Sequence, residues 1–140
     1  MGRIALVSCG SKKQDHPCPA RDLYTGALFL KHKLWAETFT DDMYVLSAKY
    51  GLIEATKVIE PYDMTLKRMK RADRERWGRY VANQITNTIP KGETLVFLAG
   101  KPYYENITKH IRHRYQIPFE GVRLGYRYQL INKHVANGHP

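Results

Sequence analysis

Three short apolar runs constrain this 140-residue chain more than any other feature. They are Arg3-Ile4-Ala5-Leu6-Val7-Ser8, Met43-Tyr44-Val45-Leu46-Ser47 and Thr94-Leu95-Val96-Phe97-Leu98-Ala99. None alternates apolar with polar residues, so each reads as a strand covered on both faces. A glycine closes the first and third runs, and Gly51 closes the segment after the second. Between them lie stretches with helical spacing. Leu23 to Phe39 carries Ala27, Leu30 and Leu34 with Leu28, Trp35 and Phe39, and Thr25 or Asp22 is placed to cap it. Leu66 to Ile89 carries Trp77, Val81, Ile85 and Ile89 four apart, stopped by Pro90-Lys91-Gly92. Pro102 opens a third stretch through Tyr104, Ile107, Ile111 and Tyr115, and Tyr128, Ile131 and Val135 define a last helix closed by Asn137-Gly138. A weak strand is expected around Gly121–Leu124. Strand–helix repeats with two-sided strands predict a single three-layer αβα domain over residues 1–140, with a short, mostly parallel sheet of Rossmann-like type.

Composition narrows the function classes. Hydrophobic residues make up 43% and charged residues 26%, the balance of a folded protein. No apolar run approaches the ~20 residues that cross a bilayer, and Arg3–Ser8 is too short for a signal segment. A cytoplasmic protein without a membrane partner is expected. The net charge is +10, from 23 Lys and Arg against 13 Asp and Glu. Residues 1–66 hold 8 basic and 8 acidic side chains, whereas residues 67–140 hold 15 basic and 5 acidic ones. The second half therefore carries the whole excess, which points to a polyanionic partner, nucleic acid first and an acidic membrane surface second. A merely soluble basic surface is the plain alternative.

The loops after the first two strands carry the candidate chemistry, because ligands of open α/β sheets bind beyond the carboxyl ends of the strands. The first loop, Cys9-Gly10-Ser11-Lys12-Lys13, offers backbone donors, a hydroxyl and two ammonium groups, the ingredients of an anion site. It lacks the spacing of a P-loop and of a dinucleotide fingerprint. Cys9 and Cys18 are too few for a disulfide framework, and Cys9 reads either as a nucleophile or as a small buried hydrophobe. With His16 they form Cys-x6-His-x-Cys, which matches no standard zinc spacing, so neither metal nor cofactor is expected. The second loop runs from Ser47-Ala48-Lys49-Tyr50 to Glu60-Pro61-Tyr62-Asp63. Asp63 or Glu60 there suits acid–base work, or else caps the coming helix, and Tyr50 or Tyr62, or Tyr24 from the first loop, suits stacking on a base. The expected substrate-binding set is Cys9, Gly10, Ser11, Lys12, Asp22, Tyr24, Ser47, Lys49, Tyr50 and Tyr62. Lys67, Arg68, Lys70, Arg71 and Arg74, with Lys101, are the expected phosphate contacts. Lys101, Lys109, Arg112 and Arg114, with His110 and His113, are expected to form a second basic helix; the two histidines read best as solvated side chains.

Several of these segments together carry a resemblance. The strand ending in Ser8-Cys9-Gly10-Ser11-Lys12, the run Pro19 to Lys31, and Leu46-Ser47-Ala48-Lys49-Tyr50-Gly51-Leu52 resemble a small, largely uncharacterised domain family of phages and bacteria. So do Ile59-Glu60-Pro61-Tyr62-Asp63-Met64-Thr65-Leu66 and the terminal Gly125-x3-Gln129-Leu130-x-Asn132. The Gly-Leu…Glu-Pro-Tyr segment is also similar to the Gly-Leu…Pro-Tyr-Arg segment of the YaaA peroxide-stress family, which is associated with DNA binding. More distantly, the layout is similar to the lysine-transfer domain of archaeosine synthase and to uracil-DNA-glycosylase-like folds. Arg21-Asp22-Leu23-Tyr24 stands where archaeosine synthase has Lys-Pro-Tyr, and the His-Pro-Ser type loop of uracil glycosylases is missing. The resemblance implies a fold and a nucleobase or nucleic-acid setting. It leaves the reaction open. The expected function is a nucleic-acid- or nucleotide-directed domain acting on a nucleobase or N-glycosidic bond, with a non-catalytic nucleic-acid or signalling-nucleotide module as the alternative and a basic protein-interaction domain as the third.

Overall fold

The computed structural model describes residues 2–140. β1 (Arg3–Ser8) is the central strand of a five-stranded sheet. It pairs in parallel with β3 (Asp42–Ser47) on one side, Leu6 opposite Tyr44, and with β6 (Thr94–Leu98) on the other, Leu6 opposite Phe97. β4 (Gly51–Glu54) adds an antiparallel edge to β3, and β7 (Tyr115–Gln116) a parallel edge to β6. The sheet is mostly parallel, as the two-sided apolar runs predict.

Successive residues of the central strands feed two separate cores. Ala5, Val7, Val96 and Leu98 face α2 (Ala27–Phe39) and α5 (Leu124–Asn137), where Phe29, Trp35 and Ile131 complete one cluster. Ile4, Leu6, Leu95 and Phe97 face α3 (Arg71–Thr88) and α4 (Lys101–Thr108), where Trp77, Val81, Ile85 and Ile107 complete the other. This gives three layers. A short α1 (Ala20–Leu23) and a two-stranded ribbon of β2 (Cys18–Pro19) and β5 (Val58–Ile59) lie outside the main sheet.

Element boundaries depart from the sequence expectation in four places. The first helical stretch breaks at Tyr24–Gly26, with Gly26 rather than Thr25 or Asp22 at the start of α2 and no side-chain cap. The break turns Tyr24 into extended backbone, where it bridges Lys13. The long basic helix is split into a 3-10 turn (Leu66–Arg68) and α3; Thr65 precedes the turn, so neither Glu60 nor Asp63 is its cap. The third helix stops at Thr108 instead of continuing to Tyr115, because Tyr115–Gln116 pairs with Leu95–Val96 as an edge strand. No strand forms at Gly121–Leu124: Gly121 ends a turn, Val122 and Arg123 are irregular, and α5 begins at Leu124. Its closure at Gly138, in the left-handed region at φ 77°, is as expected.

α3 and α4 approach closely because residue 78 has no side chain. A Cβ on Gly78 would collide with the backbone carbonyl of Asn106, itself buried and bonded through Nδ2 to Pro102 O at 2.6 Å. Gly78→Ala is therefore expected to cost about 1–3 kcal/mol despite its better helix propensity. Urea denaturation checks this, and a variant as stable as the wild type would refute the close contact.

On the opposite face His32 is buried, its Nε2 3.4 Å from Arg127 NH1 and its ring stacked on Phe119. Burial first, and the neighbouring guanidinium second, hold its pKa down to about 3 from 6.5. Between those values the unfolded chain binds a proton that the folded chain excludes. Stability from this group is thus complete above about pH 6.5 and falls as pH is lowered, by up to about 1.4 kcal/mol per pH unit. Comparing urea midpoints at pH 7 and pH 5 for wild type and His32→Gln should show a smaller pH effect in the variant.

Candidate functional site

The chain leaves β1 toward α2 on one face of the sheet and leaves β6 toward α4 on the other. These two strands are neighbours, so their carboxyl ends open the crevice where the direction of winding reverses. Cys9 follows β1 there, and Tyr103 stands in the first turn of α4; Sγ and the phenol oxygen lie 3.3 Å apart. Both cysteines are free thiols. Beside this pair runs a hydroxyl chain. Ser47 ends β3 fully buried and donates to the Tyr62 hydroxyl at 2.7 Å, while accepting the amide protons of Lys49 and Tyr50 at 3.1 and 3.0 Å. The Tyr62 and Tyr24 hydroxyls are 2.6 Å apart. Two phenols sharing one such bond leave the second phenolic proton free to donate elsewhere.

Local sequence explains why distant residues meet here. The three-residue turn Ala48–Tyr50 folds β4 back onto β3, with Gly51 at φ 76°. The β2–β5 ribbon then pins the first loop to the second, reinforced by Ala20 N–H to Lys57 O at 2.8 Å and Arg21 N–H to Ala55 O at 3.0 Å. Within the first loop, Gln14 N–H to Leu23 O and Thr25 N–H to Lys12 O close a small hairpin-like clasp. The indole of Trp77 donates to Ser47 O at 3.0 Å and locks α3 under the same strand end.

Electrostatically the cluster is neutral and hydroxylic. Burial above all, and then the nearness of Cys9, push the phenol pKa values of Tyr24, Tyr62 and Tyr103 well above the ordinary tyrosine range. All three therefore act as neutral donors and acceptors near pH 7. Positive charge surrounds them. Lys13 Nζ lies 4.5 Å from the Tyr62 ring centroid, and Lys49 Nζ lies 5.2 Å from that of Tyr50. Lys12 is exposed beside Gly26 at the start of α2, and Lys101 opens α4. Such a set can donate hydrogen bonds to an anionic or carbonyl oxygen and screen its charge. It contains no carboxylate.

The expected site residues fall into three groups. Cys9, Tyr24, Ser47, Tyr50 and Tyr62 come together as described, although the Tyr24 ring is buried in the core instead of lying open. Gly10, Ser11, Lys12 and Lys49 rim the cluster; a Cβ added at Gly10 would meet nothing within 4 Å. Asp22 lies outside it, 3.3 Å from Lys33 Nζ. Glu60 is exposed, and Asp63 is 91% exposed with Arg68 3.9 Å away; neither has a hydrogen bond to the cluster among the described residues. Of the basic set, Lys67, Arg68, Lys70 and Arg71 are exposed, Arg71 pairs with Glu75, and Arg74 donates to Met69 O at 2.8 Å. Tyr103 is the residue that sequence reasoning missed. Its signal was Gly100-Lys101-Pro102 at the end of the clearest strand, the same strand-end logic that found the first two loops.

Ser47→Ala leaves two part-buried amides and one phenol a bond short, for an expected loss of about 1–3 kcal/mol. A double-mutant cycle with Tyr62→Phe should give a coupling above about 0.5 kcal/mol, and additivity would show the bond to be energetically idle.

Comparison with known proteins follows the same outline. Residues 4–133 match the family described as a family of unknown function, DUF6884. The chain is 28% identical over 153 residues to the uncharacterized protein YfjM of Bacillus subtilis (strain 168), covering 99% of each. It is 24% identical over 107 residues to the UPF0246 protein Mmwyl1_3597 of Marinomonas sp. (strain MWYL1), covering 69% of this chain and 41% of that one. The second relative is of the YaaA type to which the Gly-Leu…Glu-Pro-Tyr segment was likened. No solved structure matches significantly. No helix of the described residues is long and apolar enough to cross a membrane.

Proposed function

The chain belongs to the DUF6884 family, and we propose that it is a nucleotide- or nucleic-acid-directed domain whose ligand sits in the crevice between the ends of β1 and β6. One observation carries this reading. The Cys9–Tyr103 contact and the Ser47–Tyr62–Tyr24 chain converge where the sheet reverses its winding, with Lys13 and Lys49 over the tyrosine rings, Lys12 in the adjoining loop and Lys101 at the start of α4. A phosphate fits the rim, where Ser11, Lys12 and Lys49 join the amino end of α4 in favouring negative charge. The neutral phenols suit the uncharged donors and acceptors of a base or sugar, and Tyr50 and Tyr62, both half-buried, supply aromatic surface for stacking.

Native mass spectrometry of freshly purified protein tests the crevice directly. A nucleotide-sized adduct is expected on the wild type and is expected to be lost from the Lys12→Ala, Lys101→Ala double variant. A ligand-free wild type in repeated preparations would count against the reading.

Whether the domain also transforms its ligand turns on the carboxylates. In the catalytic version Asp63 or Glu60 performs acid–base work at a glycosidic bond, and Asp63→Asn abolishes base release from an oligonucleotide while binding survives. In the second version the crevice only holds its ligand. The near-complete solvation of Asp63, with a single distant cation beside it, favours this second version. Unchanged turnover in Asp63→Asn would remove that residue from the chemistry.

A further inference from the structure

We infer that the amino edge of the sheet, opposite the crevice, carries a second site, which holds the phosphate backbone of a nucleic-acid strand. The inference goes beyond the crevice reading and does not rest on it. Three segments meet at this edge: the end of α3, the turn Pro90–Gly92 that leads into β6, and residues 109–114 that lead into β7. They form a groove of about 510 Å³ lined by Asn83, Asn87, Lys91, His110, Arg112 and His113, among others. A second hollow of about 330 Å³ shares Lys91 and Arg112 and adds Gly92 and Arg114.

The lining explains the choice of ligand. Three permanent cations and two side-chain amides face these hollows, and no carboxylate lines either of them among the described residues. Glu93 is close in sequence, but its carboxylate accepts the Gly2 amide proton at 2.6 Å. Lys91, Arg112 and Arg114 are exposed and form no ion pair among the described residues, unlike Arg71 and Arg76 on α3. Unpaired cations in a concave, carboxylate-free surface are what a chain of phosphates requires. The ending of α4 at Thr108 makes this possible, since a continuous helix to Tyr115 would have spread these charges around its circumference.

His113 supplies an independent observation. Expected as a solvated side chain, it is instead buried, 6% exposed, because its ring bonds the end of α3, and it lines the larger groove. Its Nε2 lies 2.7 Å from Ile89 O at the end of α3, so that nitrogen must carry the proton. Its Nδ1 is buried and has no partner among the described residues. A buried acceptor left in that state is costly, and the group that removes the cost must be a donor, such as the N3–H of a thymine on the strand, since phosphate oxygens only accept.

Fluorescence anisotropy with a labelled oligo-dT strand tests the site across a salt series. Lys91→Gln, Arg112→Gln and Arg114→Gln combined should weaken binding about tenfold or more and reduce the salt slope by about 2, as expected for three lost phosphate contacts on a single strand. The matched control removes three exposed charges elsewhere, Lys57→Gln, Arg123→Gln and Lys133→Gln, and should bind nearly as the wild type does. In the wild type, the imidazole ¹⁵N resonances of His113 should shift when the strand is added. Equal losses in both triple variants would reduce the effect to overall charge and overturn the site, as would a wild type that does not bind. Displacement of the strand by millimolar inorganic phosphate at matched ionic strength would reassign the groove to small phosphates and overturn the strand reading. The Lys12→Ala, Lys101→Ala variant separates the two sites. If it loses its nucleotide-sized adduct yet holds the strand normally, the crevice and the amino edge are independent.

Discussion

Everything in this structure is arranged around a six-residue strand that is satisfied in every direction. β1 is hydrogen-bonded to β3 on one side and to β6 on the other, and its side chains alternate into two different cores. Such a strand has neither a free edge nor a solvent face, so its neighbours in sequence must leave from its ends. The strands it pairs with lie 35 or more residues away and can be parallel to it only through helical crossovers. Those crossovers go to opposite faces. The crevice beyond β1 and β6 is therefore a consequence of how the central strand is buried, and any ligand site there is built from loops anchored in the rigid core.

What fills the crevice depends on a smaller device. The β2–β5 ribbon is only two residues long on each side, yet it fastens the loop after β1 to the loop after β4. That fastening brings Tyr24 within 2.6 Å of Tyr62, and Tyr62 within reach of Ser47. The result is a chain of hydroxyl groups whose burial keeps the phenols neutral. The charge that the protein does carry stands around this chain. The crevice is thus a neutral hydrogen-bonding floor with a positive rim. The basic second half contributes Lys101 to that rim, while a larger share of its unpaired charge lies at the far edge of the sheet.

The architecture was legible because burial on both faces leaves an unbroken apolar run, and three such runs separated by helical spacing admit few arrangements. The loops of the site were legible for a related reason: strand ends in a parallel sheet are where the backbone becomes free to meet a ligand. Cys9, Ser47 and Tyr62 were all found in this way. The limits are equally instructive. Tyr115 sits at helical spacing from Ile111, but Tyr115–Gln116 gains more from pairing with β6 than from a further turn of α4. Tyr24 was expected among open aromatic surfaces, whereas its ring belongs to the core and only its hydroxyl serves the site. Tyr103 escaped notice because a tyrosine in a helix carries no local sign of a cysteine 94 positions away.

The sequence by itself determined the layers, the parallel sheet and the strand ends from which the candidate site is built. These follow from local periodicity and from the need to cover apolar strands, both of which are written in neighbouring residues. The tertiary structure alone decided which side chains touch, which tyrosines are buried and which cations are paired. It also gathered three unpaired cations at the amino edge, by ending α4 at Thr108 and bringing Arg112 and Arg114 beside Lys91. Net charge is a sum over residues, but the field that a ligand meets depends on distances. Those are set only when segments far apart in the chain pack together.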